Sequence, residues 1–447
     1  MPIVSALPDV RIPESRISKF FMFILRLLVR PYIISMFGFA KVVLHDETAL
    51  IDAFKRALSA ESRCIIAFRH PNGGEPQLLG WFFLFKLKTF AARKKARFAR
   101  NPHVIFIYGY EVARWGGSAA RLFMPNIGAI PIHHSKIDSK GMERIYKALI
   151  DGPWPIALAP EGQVSYTTDA VPRLENGSIR IGFHAAKQLA DMNDNSPVEL
   201  LPLSIHFRYG RGGKASMEKL LKKIEKICGL SSGGKNLSFT ERLSLCRNHI
   251  LEINERRYNI KPDKSLSFEE RFEPVINAAL ETGERMLGIK GEGDFFSRLY
   301  RVRHICWDKI FLSGVETGSL KKMSHVERGI MDLGAGEAWH VARHQELADF
   351  GWYFRCPLPS DETALHKKIE YVQNLWDFAN RTMGGALSNR INVFPRKIII
   401  HAAPAINLSR RLPEYKKDKK TTLNSVLNDL EKAYINSISV MNEMERN

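Results

Sequence analysis

The chain lacks the patterns that settle a function by themselves. Its five cysteines are scattered and odd in number. No two have metal-ligand spacing, so a disulfide framework is not expected and a reducing compartment is. There is no Gly-x-Ser-x-Gly elbow, so no serine-hydrolase nucleophile is expected. No zinc-knuckle, RNP or helix-turn-helix pattern is present either, and nucleic acid is not an expected partner. Acidic residues are scarce: Asp+Glu total 47 against 66 Lys+Arg, leaving a formal charge of +19. That surplus favours anionic partners such as phospholipid headgroups or phosphorylated small molecules. What is plentiful is apolar material. The chain has 447 residues, 45 % hydrophobic and 10 % aromatic, enough for a full core and for more than one domain.

The most apolar stretch is residues 17–39, with Phe20-Phe21-Met22-Phe23-Ile24-Leu25 at its heart. As a helix it would run about 35 Å, long enough to span a bilayer. Lys19, Arg26 and Arg30 interrupt it along one narrow face, and Pro31 falls in the middle. A basic stripe on an apolar helix suits the membrane interface; a buried core helix and a true span are the alternatives. Arg26 in the apolar core, with no small-x-small site after it, argues against a signal peptide.

Apolar runs at 64–68, 104–108, 127–132, 155–159 and 199–205 read as strands. Helical patterns at 46–62, 139–150 and 178–192 separate them. The fold class is therefore α/β, a layered mixed sheet with flanking helices. Beyond Tyr209 the periodicity is helical, at 217–228, 240–257, 268–287, 295–311 and 363–382. A lone strand run follows at 396–402, then a helix near 419–441. This predicts an N-terminal membrane-associating segment (1–45), an α/β domain (46–210), a mostly α-helical inserted domain (211–390), and a closing strand with a C-terminal helix (391–447).

The chemistry centres on Phe68-Arg69-His70-Pro71-Asn72-Gly73-Gly74-Glu75. The strand delivers His70 to a Pro/Gly turn, and Glu75 opens the next helix. A carboxylate there can accept the Nδ1 proton of His70 and leave Nε2 free as a base. Pro71, Gly73 and Gly74 let the chain fold Glu75 back. Three segments follow: Gly128-Ala129-Ile130-Pro131-Ile132-His133-His134, Pro160-Glu161-Gly162-Gln163-Val164-Ser165, and Leu201-Pro202-Leu203-Ser204-Ile205. The basic run Arg93-Lys94-Lys95-Ala96-Arg97, with Arg100, is either a solvated face or a contact for phosphates.

In this order the four segments resemble the four blocks of the PlsC-type glycerolipid acyltransferases, the 1-acylglycerol-3-phosphate acyltransferase family. The resemblance covers roughly residues 60–207, with 396–412 as a closing strand. It implies that His70 is the general base and that Glu75, where the family usually has Asp, orients it. It implies that Pro160, Glu161, Gly162, His134 and Gly128 bind the acceptor. The donor would be acyl-CoA or acyl-carrier protein and the acceptor a lysophospholipid or glycerol-phosphate-type alcohol. No cofactor and no metal are implied, and the setting is the cytoplasmic face of an anionic membrane. Gln163-Val164 replaces the family's Thr-Arg, and His134 stands near its usual Arg. These departures favour a lysophospholipid or glycolipid acceptor, or phosphate binding by other Lys/Arg residues, over simple glycerol phosphate held in the family's way. They also leave open an amine acceptor, or an inactive membrane-binding scaffold with the same fold.

A second constellation competes. Glu337, His340 and His344 fall at i, i+3 and i+7 of a helix expected to start near Gly334 and Gly336, with Glu346 and Asp349 close by. This is either a polar exposed face or one side of a metal site.

Overall fold

The structure is a computed structural model that describes residues 5–133, 138–210, 212–230, 237–354, 356–385 and 389–446. It divides into two compact units. One comprises Ile12–Gly210 with Phe394–Asn447; the other comprises Met1–Arg11 with Arg211–Val393.

The first unit is α/β. Its strands are β1 (Phe39–His45), β2 (Arg63–Phe68), β3 (Ile105–Gly109), β4 (Ile130–Ile132), β5 (Ile156–Leu158), β6 (Val198–Tyr209), β7 (Arg396–Ala402) and β8 (Ile406–Asn407). They form one eight-stranded mixed sheet in the order β1-β7-β6-β2-β5-β3-β4, with β8 pairing β6. β6, β2, β5, β3 and β4 run parallel; β7 is antiparallel to β6 and parallel to β1. β6 is buried along eleven of its twelve positions, as a central strand covered on both faces must be. One face carries α1 (Lys19–Phe37), α2 (Glu47–Leu58), α3 (Glu75–Trp81) and α4 (Leu87–Arg93) over Cys64, Ile66, Phe68, Leu203 and Ile205. The other face carries helices Ser139–Ile150, Gly177–Asp191 and Lys419–Arg446 over Ile65, Ala67, Val198 and Leu200.

Two elements differ from the sequence reading. β1 was not expected, because the apolar run reads smoothly through it. Gly38 ends α1 in the left-handed region at φ 63°, and a Cβ there would meet the ring of Phe394 at 2.0 Å. The strand expected over 127–132 shrinks to Ile130–Ile132, since Gly128 turns at φ 86°. The run at 396–402 joins the sheet as expected, between β1 and β6.

α1 is exposed along most of its length, with Phe20 at 65 %, Phe23 at 59 % and Leu27 at 60 %. Only Val29 and Ile33 are buried. At about 100° per residue, Lys19, Arg26 and Arg30 share an arc of about 40° that borders Phe23, Ile34, Leu27 and Phe20. All three cations are exposed.

The second unit is helical, with Gly212–Ile227, Phe239–Arg257, Phe268–Leu287, Phe295–Ile310, His325–Tyr353 and Leu365–Thr382 as its longer helices. Leu7–Pro8 pairs with Phe311–Leu312 here, so the first residues group with this unit and not with α1. The helix expected to open near Gly334 begins nine residues or so earlier, at a capping box in which Ser324 and Glu327 satisfy each other's backbone N–H.

Candidate active site

The parallel strands β2, β3, β4 and β5 end on one edge of the sheet, and the carboxyl ends of such strands are where ligands usually bind in open α/β sheets. His70 lies there, two residues past β2. Strand alternation sends Phe68 and His70 to the α1–α3 face, their rings edge to face at 5.8 Å. The Arg69 N–H donates to the Leu203 carbonyl at 2.9 Å, which carries the β2–β6 ladder to the start of the turn.

Glu75 is the first residue of α3 and is fully buried. Its Oε2 lies 2.7 Å from Nδ1 of His70 and also accepts the Gly73 N–H at 2.8 Å. Two donors on one oxygen hold the carboxylate in a fixed orientation, and the helix N-terminus favours its charge. With Nδ1 engaged, the His70 tautomer is set, and Nε2 makes no hydrogen bond among the described residues. The His70 side chain is 16 % exposed. Beyond α3 the helix passes through a π turn at Phe82–Lys86, a local widening often found near functional sites.

The segment after β5 folds over this turn. Ser165 donates its N–H to the His70 carbonyl at 3.0 Å. Val164 stands 3.7 Å from where a Gly73 Cβ would be. Pro160 accepts the Glu175 N–H at 2.6 Å. Gly162 adopts φ 72°, and a Cβ on it would come 2.8 Å from the Glu175 carboxyl carbon.

Glu161 does not reach into the open side of the site. Its side chain is fully buried and bound to Nε of Arg69 on the opposite face from His70. Arg69 also donates to the carbonyls of Thr167 at 3.0 Å and Ala170 at 2.7 Å. Tyr434 packs under the guanidinium at 5.6 Å and donates its hydroxyl to the Ala67 carbonyl at 2.8 Å. Burial, with the Glu161 charge second, pushes the Tyr434 phenol well up. Glu161 thus ties the end of β5 to the end of β2 on the face away from His70.

Gly128 lies at the other end of the sheet. It precedes β4, and its Cα faces Ile105 and Ile17, in the row of the sheet where β3 begins. Five residues separate that row from His70, about 16 Å along a strand, so Gly128 shapes the entry to β4 and does not join the site. His134 lies outside the described residues. Its neighbour His133 stacks on Tyr110 at 4.2 Å, and Arg114 sits over the same Tyr110 ring at 5.6 Å. Tyr110 and His133 follow β3 and β4 directly, so this cation–aromatic stack occupies the same edge as His70. Sequence reasoning missed Tyr110 and Arg114. The signal was a cation within two turns of a strand end.

A second His–carboxylate pair lies on the Arg69 face. Nδ1 of His206 on β6 is 3.9 Å from Oδ1 of Asp169, with both groups buried. Burial pushes the His206 imidazole down to about 4 despite Asp169, so it is neutral near pH 7.

In the helical unit, His340 and His344 are in ring contact at 5.2 Å. His344 Nδ1 is 2.9 Å from the Tyr258 hydroxyl, and burial lowers its pKa to about 4. Glu346 is bound by Arg343 and Asp349 by Arg303. Among the described residues no group of three or more His, Cys, Asp or Glu is placed to hold a metal ion. Against known proteins, the chain matches no family model and no curated sequence.

Proposed function

We propose that the protein transfers a fatty acyl group from acyl-CoA or acyl-carrier protein to the hydroxyl of a lysophospholipid or glycerol-phosphate-type acceptor. The observation that carries this reading is the His70–Glu75 pair: a 2.7 Å contact on Nδ1, with Nε2 left without a partner among the described residues, at the carboxyl edge of a parallel sheet. Nε2 of His70 takes the acceptor's hydroxyl proton as that oxygen bonds to the thioester carbonyl carbon. The C–S bond then breaks, and the proton passes to the leaving thiolate. Glu75 holds the ring and stabilises the imidazolium in between. Assistance of this kind contributes about 10²–10⁴-fold in rate.

The exposed apolar arc of α1, with Lys19, Arg26 and Arg30 along its border, supports a membrane-surface setting on the cytoplasmic face. α1 has 19 residues, about 28 Å as a helix, with one cation at its first residue and two, Arg26 and Arg30, flanking its middle; this suits lying in the interface better than crossing it.

One observation favours a second reading, a membrane-binding scaffold that keeps this fold without turnover. The acidic residue expected at the acceptor, Glu161, is withdrawn into its pair with Arg69. Acyl transfer from labelled acyl-CoA and acyl-carrier protein into a panel of lysolipids, with wild type beside His70→Ala, separates the two. Product that depends on His70 is the expected result. No product from any pair, from protein that is folded and vesicle-bound, overturns the acyltransferase reading.

A further inference from the structure

The helical unit buries an unusual amount of charge among three of its helices. Arg303 comes from Phe295–Ile310; Arg343, Glu346 and Asp349 come from His325–Tyr353; Asp377 and Arg381 come from Leu365–Thr382. Arg303 pairs with Asp349, and Arg390 pairs with Asp377. Arg343 Nη2 donates to Glu346 Oε1 at 2.5 Å. Arg381 Nη1 lies 3.5 Å from Asp377 Oδ1 and donates to the Asp377 carbonyl at 3.2 Å. Arg381 is 2 % exposed and Asp377 fully buried.

The pairing is incomplete on both sides: among the described residues Glu346 Oε2 and Asp377 Oδ1 have no hydrogen-bond donor. Arg343 keeps Nε and Nη1, and Arg381 keeps Nε and Nη2, without a hydrogen-bond partner among the described residues. Both guanidiniums are stacked by their faces, Arg343 on Trp339 at 4.4 Å and Arg381 on Phe350 at 4.7 Å. Stacking uses the face of the group and leaves the in-plane N–H donors aimed sideways. Nε and Nη2 of Arg381 are the two donors of one guanidinium edge, the fork that matches two oxygens of an oxyanion. Arg343, Glu346 and Phe350 stand at i, i+3 and i+7, so they share one helix face. The stack on Phe350 brings Arg381 against that same face. Arg343 and Arg381 each feel the other's charge or that of Glu346. Four arginines face three carboxylates, and burial raises the Glu346 pKa against the pull of Arg343, Arg381 and Arg303.

We propose that Arg343 and Arg381 form a binding site for a phosphate-class oxyanion, either inorganic phosphate or a phosphate monoester, inside the helical unit. An oxyanion supplies acceptors to the Arg343 and Arg381 donors that the carboxylates leave unused, and it offsets the excess of positive charge. Buried donors without acceptors are rare and costly, and an incoming anion relieves them. The site is independent of His70, so it stands whether or not the protein transfers acyl groups.

The test uses the full chain, with inorganic phosphate, glycerol 3-phosphate and acetate titrated at constant ionic strength by calorimetry. Phosphorus NMR line broadening provides a second readout. Wild type and His70→Ala are expected to bind phosphate equally. Arg381→Gln and Arg343→Gln are expected to bind it at least about tenfold more weakly, the loss of one charge-assisted contact. Equal binding of phosphate and its monoester identifies a free-anion site; a clear preference for the monoester identifies the headgroup or carrier phosphate as the source. No phosphate binding by wild type at millimolar concentration overturns the proposal, a result that does not depend on any variant folding. Preference for acetate, or undiminished binding by folded Arg381→Gln, overturns it equally.

Discussion

The ring of Phe37, the last residue of α1, lies directly against the backbone of Gly74, the residue before Glu75. A Cβ on Gly74 would come within 2.6 Å of Phe37 Cδ1. The exposed apolar helix therefore ends on the turn that carries the His–Glu pair. Arg396 holds this end, donating from Nε to the Phe37 carbonyl at 3.1 Å.

Gly74→Ala should push Phe37 and the turn apart. Overpacking of this kind costs about 1–3 kcal/mol. Calorimetric melting should fall, and acyl transfer should fall further, because Glu75 shifts with the turn. The double variant Phe37→Ala/Gly74→Ala makes room for the methyl group and should recover part of both. A single variant that melts and turns over like wild type would mean the contact does not position the pair.

Glu161→Ala should behave as the loss of a buried ion pair. Leaving Arg69 unpaired in the interior costs about 3–5 kcal/mol. Denaturant titration should show most of that loss, while the KM for acceptor measured on the folded fraction should stay near wild type. A stable variant with a raised acceptor KM would instead restore Glu161 to the acceptor site.

Stability should fall on mild acidification. Burial lowers His206 and His103 from 6.5 to about 4. In the unfolded chain both protonate near 6.5, so between pH 4 and 6.5 the unfolded state binds more protons. Their contribution is complete above 6.5, declines as pH drops, and is exhausted near 4. Each histidine accounts for on the order of 3 kcal/mol over that range. Urea titrations at pH 7.5, 6 and 5 should show the decline, and His103→Gln should flatten it. The bond His103 Nε2 makes to the Ile127 carbonyl, at 3.1 Å, is one that glutamine can replace. A curve flat across this range would show that these rings accept protons in the folded state.

Vesicle binding through α1 should separate into two parts. Neutralising Lys19, Arg26 and Arg30 should weaken binding to anionic vesicles at low salt, by about 1 kcal/mol per cation, with the difference vanishing as salt screens it. Phe23→Ser with Leu27→Ser should weaken binding at every salt concentration. Salt-insensitive binding in the wild type would count against the basic border.

Much of this was legible because the period of a strand is two. The run Cys64–Phe68 located β2, and the Pro/Gly turn placed His70 and Glu75 together. The same alternation held the information that was overlooked. If His70 points to one face, Arg69 must point to the other, where a buried cation needs a carboxylate; Glu161 is that carboxylate. Gly128 was misplaced because Ile127–Ile132 reads as one apolar strand, and only a φ of 86° reveals the turn. β1 was hidden because Val42 and Val43 continue an apolar run, and only Gly38 marks its break. The helix His325–Tyr353 was marked in the sequence by Ser324-x-x-Glu327, a start signal that the later glycines masked.

Among the described residues β1 has a single neighbour in the sheet, β7, and the bond that Arg396 makes to Phe37 joins residues 359 positions apart. A chain made from its N-terminus at about 5–20 residues per second exposes α1 and β1 for on the order of tens of seconds before β7 exists. For all that time the ladder edge of β1 is unsatisfied and the apolar arc of α1 is bare. The order of synthesis thus gives an apolar surface the first opportunity to take α1 and leaves the closing of the sheet to the last, so a nascent chain paused anywhere in the helical unit should already be able to dock.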